Sequence, residues 1–263
     1  MNQAPGPILG VANGATLHNT VRPSWPEDVL SWLLGSPLPA THLQVLDLGA
    51  GTGLGTRSAA ALGHTVIAVD SSEDMLAVLR KVNEELPSSM SARISTALGS
   101  AEHLPLEANS VDAIMCLQAW HWVNPALAVL ECDRVLRERG MMGLAWHTWD
   151  RSKEWVQALA AIVEPAGRPA DQTRSVPRVL ASRGSFERQD FPFSYDMTVE
   201  QLLGLASSWS FVNERPDRDD VLARIYQLGS RAASAKTGLL SFPHVTAAFR
   251  LDRSGENTAV WNR

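Results

Sequence analysis

Apolar positions along this chain follow two periods that take turns. From Trp25 to Leu34 they recur at helical spacing, and Pro26 suits a first helical turn. LQVLDLG, from Leu43, is a short run rich in Leu and Val and reads as a buried strand. Gly53 to Leu62 reads as a helix, and Thr65 to Asp70 (TVIAVD) as a second strand. In SSEDMLAVLRKVNEEL the acids come first and periodic apolar residues follow, so Ser71 or Ser72 caps a helix that reaches about Leu86. Ala92 to Ala97 alternates like a strand. Val111 to Leu117 is a strand, and Pro125 to Leu136 a helix with Arg137, Arg139 and Gly140 as its stop. Met141 to His147 is again a strand. Strands alternating with helices imply a parallel sheet covered on both faces.

After Asp150 the rhythm changes. Glu154 to Val163, Val199 to Ala206 and Asp219 to Ala233 have helical spacing, and Gly167 to Arg174 reads as a loop. Ser185 to Tyr195 has strand character interrupted by Pro192, and His244 to Leu251 is a closing strand. There is no internal repeat and no linker long enough to split the chain. The expected layout is a single domain over residues 1–263. Its core is 20–150; residues 1–26 and 151–184 lie outside the alternating pattern as cover or acceptor-side elements, and 185–263 complete the sheet.

Composition narrows the possibilities. A hydrophobic share of 45% supports a sizeable core and argues against disorder. The net charge of -5 argues against a nucleic-acid partner, since phosphate binding wants a basic face. No apolar run approaches a membrane span. Arg22 is the first basic residue, so the N-terminus lacks the charged region of a secretory signal. Cys116 and Cys132 sit in apolar patterns and read as buried thiols. The histidines show no metal-ligand spacing, and no G-x-S-x-G element supports a hydrolase. The expectation is a cytoplasmic protein with no metal; its oligomeric state is not legible.

The chemistry concentrates in VLDLGAGTG, Val45 to Gly53. In an open parallel sheet, ligands bind beyond the carboxyl ends of the strands, and Gly49, Gly51 and Gly53 occupy the first strand-to-helix turn. Without a Cβ they let the backbone turn sharply and approach a ligand. Asp70 ends the second strand, where a carboxylate can accept both hydrogen bonds of a ribose diol. The dinucleotide fingerprint needs a third glycine at Leu54 or Thr56, and neither register supplies it.

The pattern D-x-G-x-G-x-G (Asp47, Gly49, Gly51, Gly53) resembles motif I of the class I S-adenosylmethionine-dependent methyltransferases, in their small-molecule, type 11-like branch. GSAEHLPLEANSVDAIMCLQAWHW (Gly99 to Trp122) and RVLRERGMMGLAWHTWD (Arg134 to Asp150) resemble later segments of the family, and VRPSWP (Val21 to Pro26) is similar to an N-terminal element of one branch. The likeness covers about residues 20–150, and beyond that only the layout agrees. It implies a Rossmann-like three-layer α/β sandwich with a seven-stranded sheet of order 3-2-1-4-5-7-6, strand seven antiparallel. It also implies S-adenosyl-L-methionine as cofactor and S-adenosyl-L-homocysteine as product.

The resemblance assigns roles, each with a rival. Gly49, Ala50, Gly51 and Gly53 would cradle the methionine moiety, and Asp70, followed by Ser71, the ribose. Asp47 would touch the methionine amino group through water or brace the turn. Met75 would pack on the adenine or in the helix core. Ser100, Ala101 and Glu102 fall where the family holds the adenine, but many relatives carry an aspartate at the position of Ser100, and Glu102 also suits a solvated loop. Gln118 opens the loop beside the sulfonium, where a tryptophan wall would favour a cation. His121 is the candidate general base, or a packing residue. Arg22 would reach the cofactor carboxylate or an acidic acceptor as a cover residue, and Trp122, His147 and Trp149 would face a small-molecule acceptor. The rival functions are a nicotinamide-dependent oxidoreductase and a non-catalytic cofactor-binding protein of the same fold.

Overall fold

The computed structural model describes residues 25–35, 42–164 and 186–252. Arg22, the loop expected at Gly167 to Arg174 and most of the expected cover lie outside these. The described residues fall into two compact units. Residues 25–150, 186–193 and 243–252 carry the sheet, and residues 151–164 and 194–242 are mainly helical.

In the sheet unit the chain runs α1 (Glu27–Leu33), β1 (Gln44–Leu48), α2 (Leu54–Ala61), β2 (Thr65–Asp70), α3 (Glu73–Glu84), α4 (Ser88–Ser91), β3 (Ile94–Leu98), β4 (Val111–Leu117), α5 (Pro125–Val135) and β5 (Leu136–Trp149). Then follow α6 (Glu154–Val163), β6 (Phe186–Met197), α7 (Val199–Ser207), α8 (Ser210–Asn213), α9 (Arg218–Ala232) and β7 (Leu240–Asp252). The two short helices α4 and α8 had no periodic signal, being a single turn each. The sheet order is β3-β2-β1-β4-β5-β7-β6, and β7 runs antiparallel to β5. This is the order that the resemblance implies.

The central strands are apolar on both faces because both are covered. Leu46, Ile114, Cys116, Leu144, Trp146 and Phe249 pack with Ala128, Val129 and Cys132 of α5. Their neighbours Val45, Ala113, Met115, Ala145 and Ala248 point the other way, onto Val29, Leu30 and Leu33 of α1 and Ala59 and Ala60 of α2. Both cysteines are free and buried. Among the described residues no helix is long and apolar enough to cross a membrane.

Two expectations need correction. Arg137, Arg139 and Gly140 do not stop a helix outside the sheet; β5 already begins at Leu136. Val111 pairs with Leu136 but Ala113 with Met141, so the residues between form a bulge. There Arg139 is left-handed (φ 63), Arg137 bonds Asp112 at 2.6 Å, and a Cβ on Gly140 would lie 2.8 Å from the Asp112 carbonyl oxygen. Pro192 does not interrupt β6, which runs through it. As an edge strand β6 can spare one N–H.

The packing of α1 on β5 leaves no space at Gly143. An added Cβ would lie 2.9 Å and 3.0 Å from side-chain atoms of Leu33 and 3.2 Å from its carbonyl oxygen. The carbonyl cannot yield without moving the helix. Gly143→Ala is therefore expected to cost about 1–3 kcal/mol, read as a lower urea midpoint with unchanged slope. A midpoint equal to wild type would mean that α1 is not seated there.

Candidate functional site

The loops that follow β1, β2, β3 and β4 meet at the carboxyl edge of the sheet. The turn after β1 hooks onto β2, with the Gly49 and Ala50 amides donating to the Val69 carbonyl at 2.8 and 3.1 Å. Gly49, Gly51 and Gly53 all have positive φ, of 73, 56 and 82°. At Gly49 a Cβ would sit 2.4 Å from that of Ala119, so the turns after β1 and β4 touch there. Gly51 differs, because a Cβ on it would meet nothing within 4 Å. The turn therefore presents backbone to open space at Gly51, as a ligand cradle requires.

Asp70 stands beside this opening. Its Oδ2 accepts from the Gly51 amide at 2.8 Å, and its Oδ1 from the Ser72 amide at 2.9 Å. It thus ties the glycine turn to the start of α3, while Ser72 caps that helix by accepting from Met75 N at 3.4 Å. Each carboxylate oxygen keeps a further acceptor position, so bracing the turn leaves room for a ribose diol. Ser71 is exposed in the bend and Met75 half-buried on the first turn of α3.

Asp47 lies beneath the turn, 1% exposed. Of its two expected roles, the structure displays bracing: Thr56 Oγ1, at the start of α2, donates to Asp47 Oδ2 at 2.6 Å. Burial pushes the Asp47 carboxyl up to about 7, and the Thr56 hydroxyl counters that. Arg57 donates to the Thr52 carbonyl at 2.7 Å and closes the other side of the turn. Sequence reading passed over Thr56 and Arg57. Their one signal is a pair of polar residues at the head of an otherwise small-residue helix.

The loop after β3 closes on β2 through Gly99 N to Asp70 O, 3.1 Å. Ser100 bridges to His103, and Ala101 is 6% exposed. Glu102 is not merely a solvated acid, since its Oε1 accepts from Asn124 N at 2.6 Å. That amide, with help from Ser100, holds its carboxyl below the usual range. Farther along, Glu131 and Arg134 of α5 clamp the same loop at Leu104 and Leu106.

Gln118 follows β4 in a left-handed conformation (φ 61). Its backbone N–H reaches the Ala145 carbonyl at 2.9 Å, and its Nε2 donates to the His147 carbonyl at 3.2 Å. The expected tryptophan wall does not form as such. Trp120 is 4% exposed in the core and Trp146 2%, whereas Trp122 is 82% exposed. Tryptophans so close in sequence face different ways because a single 3-10 turn, Trp120–Trp122, separates them.

His121, the expected base, is exposed on this turn. The Trp146 indole N–H, a donor only, reaches His121 Nδ1 at a long 3.4 Å. His147, at the end of β5, stacks on Trp25 (3.8 Å between centroids) and lies 4.8 Å from Phe193. Its Nδ1 is 2.8 Å from Thr246 Oγ1 on β7. Trp149 is half-buried two residues on. Among the described residues no group of three His, Cys, Asp or Glu is placed to hold a metal ion.

A sheet in this order, with a glycine turn after β1 and a carboxylate ending β2, defines a Rossmann-like domain of methyltransferase topology. The family model "Methyltransferase domain" matches residues 46–144. An uncharacterised methyltransferase of Mycobacterium tuberculosis (strain H37Rv) is 38% identical over 245 residues, covering 92% of this chain and 94% of its own. A methyltransferase-like protein of Schizosaccharomyces pombe is 32% identical over 213 residues, covering 77% of this chain and 78% of its own. In fold the chain is similar to a candidate type II methyltransferase from Anaeromyxobacter dehalogenans. Their TM-score is 0.67 at 23% identity, with 88% of this chain and 98% of that one covered. The chain belongs to the class I S-adenosylmethionine-dependent methyltransferases.

Asp47 gives the ligand-free protein a testable pH dependence. Its folded pKa, about 7, lies above the ordinary 3.8. Below pH 3.8 both states are protonated. Between the two values the folded state holds a proton that the unfolded state has released, so this group's contribution to stability falls as pH rises, and it levels off above 7. Asp47→Asn removes that loss. In urea titrations the variant is expected to gain on wild type by about 2–3 kcal/mol between pH 5 and pH 8. A difference that does not change with pH would mean that Asp47 is ionised throughout.

Proposed function

We propose that this protein transfers a methyl group from S-adenosyl-L-methionine to a small-molecule acceptor by in-line displacement. The observation that carries the reading is the opening at Gly51, where a left-handed glycine turns its vacant Cβ direction into free space beside Asp70. When bound, S-adenosylmethionine supplies an electrophilic methyl group and leaves as S-adenosylhomocysteine. Gly49, Ala50, Gly51 and Gly53 take its methionine portion, with Asp47 beneath them. Asp70 accepts from the ribose hydroxyls, with Ser71 next to it. Met75, Ser100, Ala101 and Glu102 flank the adenine, and Gln118 borders the reacting centre.

Acceptor recognition falls to His147, Trp149 and Trp122, with Arg22 and the other residues of 1–26 and 151–184 outside the alternating core. Amide exchange of those segments with and without cofactor tests that assignment, which equal protection in both states would sink. The reaction needs alignment more than a base. Holding nucleophile and methyl in line can itself lower the barrier by as much as ~7–11 kcal/mol. His121, with its Nδ1 occupied by an indole N–H, suits a hydrogen-bond donor. Two free buried thiols accord with a reducing, cytoplasmic setting.

Calorimetry provides the test. S-adenosylmethionine and S-adenosylhomocysteine are expected to bind and NAD is not. Loss of a charge-assisted hydrogen bond costs about 1.5–3 kcal/mol, so Asp70→Ala should weaken binding about ten- to a hundredfold. Gly51→Val should do more, by filling the opening and straining a left-handed residue. Unchanged affinity in Gly51→Val, or binding of NAD in place of S-adenosylmethionine, would overturn the reading. A metabolite panel scored by S-adenosylhomocysteine release would then identify the acceptor.

A further inference from the structure

Among the described residues, the polar groups that face Asp47 at the glycine turn do not balance in charge. Two carboxylates converge on it, Asp47 from the end of β1 and Asp70 from the end of β2. One guanidinium, Arg57 of α2, faces Asp47, and is itself turned to the Thr52 carbonyl. The fourth element packed against Asp47 is β4, which presents Cys116, a thiol that burial keeps neutral. Asp47 is 1% exposed; the hydroxyl and the amide of Thr56 and, after them, the Arg57 guanidinium favour its charged form, and burial outweighs them. An ionised carboxylate in that position is poorly compensated until a cation arrives.

We propose that Asp47 is the titrating counter-charge of the site: it is protonated in the ligand-free protein and releases that proton to solvent as the cationic cofactor settles on the glycine turn. The inference rests on the cofactor reading above. The balance is simple. The carboxyl O–H bond breaks, the proton passes to buffer, and Asp47 keeps the electron pair as the negative charge that faces the ligand. Burial, which holds the Asp47 carboxyl up at about 7, makes the exchange occur near neutral pH. The pull on Asp47 comes from fixed positive charge. S-adenosylmethionine carries a sulfonium that S-adenosylhomocysteine lacks, so Asp47 distinguishes the cofactor from its product. It favours the charged form at higher pH and loses part of that preference as pH falls.

The test is calorimetric titration of S-adenosylmethionine in paired buffers of different ionisation heat, from pH 6 to pH 9. The ligand's own amino group ionises near 8, so the readout is the difference between wild type and Asp47→Asn. Wild type should release more protons than the variant near pH 6–7 and equal it by pH 9. Its affinity should weaken about tenfold from pH 8 to pH 6, beyond any change in the variant. S-adenosylhomocysteine should show a smaller difference. Thr56→Val, which removes the hydroxyl donor, should move the wild-type pattern to higher pH. Should Asp47→Asn not fold, infrared difference spectra of wild type at pH 6.5 replace it, with loss of a protonated-carboxyl band on adding S-adenosylmethionine as the expected result. Equal proton counts in wild type and variant, or an unchanged carboxyl band, would overturn the proposal. Absence of binding in wild type at every pH would overturn the cofactor reading, and the linkage with it.

Discussion

The 2.6 Å bond from Thr56 to Asp47 is the contact on which the carboxyl edge of the sheet depends. It joins the last turn-facing residue of β1 to the first turn of α2, so the five residues between must close in very little space. Three left-handed glycines are the consequence. Once closed, the turn reaches sideways. Its amides hold Val69 and Asp70 on one flank, and its first glycine presses on Ala119 on the other. The loops after β2 and β4 are therefore located by the turn rather than by their own sequences. The loop after β3 follows, through Gly99 and Asp70.

Much of this was legible in the sequence because each central strand carries one dense apolar run bounded by breakers. TVIAVD and VDAIMCL correspond to strands without adjustment, and so does EWVQALAAIV to a helix. The glycine turn and Asp70 stood out because glycine spacing and a strand-ending acid are local features. Less legible were features that depend on partners distant in the chain. Nothing around Arg137 signals that it will pair with Asp112, so a bulge read as a helix stop. Pro192 reads as a breaker unless β6 is known to be an edge strand. Within QAWHW the composition is plain, yet burial ranges from 4% at Trp120 to 82% at Trp122, decided by a turn that composition does not encode.

The candidate acceptor side follows the same division. His147 could be placed at the end of a strand from its own pattern. Its neighbours Trp25, Phe193 and Thr246 come from the chain ahead of α1, from β6 and from β7, the last placed by its antiparallel return beside β5. A resemblance confined mainly to residues 20–150 carries the edge with the glycine turn and leaves this second wall unspecified. The strained backbone of Gln118 lies on the border between the two, bonded to both Ala145 and His147. It connects the glycine-turn side of this edge with the His147 side.

The bulge in β5 has a mechanical effect on that border. From Ala113↔Met141 to Leu117↔Ala145 the pairing with β4 is regular, and the irregularity is confined to the amino-terminal end. Residues gained or lost where α5 runs into β5 are absorbed in that slack, one more or one fewer in an already unpaired stretch. The strand's phase beyond Met141, and with it which side chains face which way near Gln118 and His147, is insulated from such changes. A change of length at the junction would leave the carboxyl edge of β5 in register with β4.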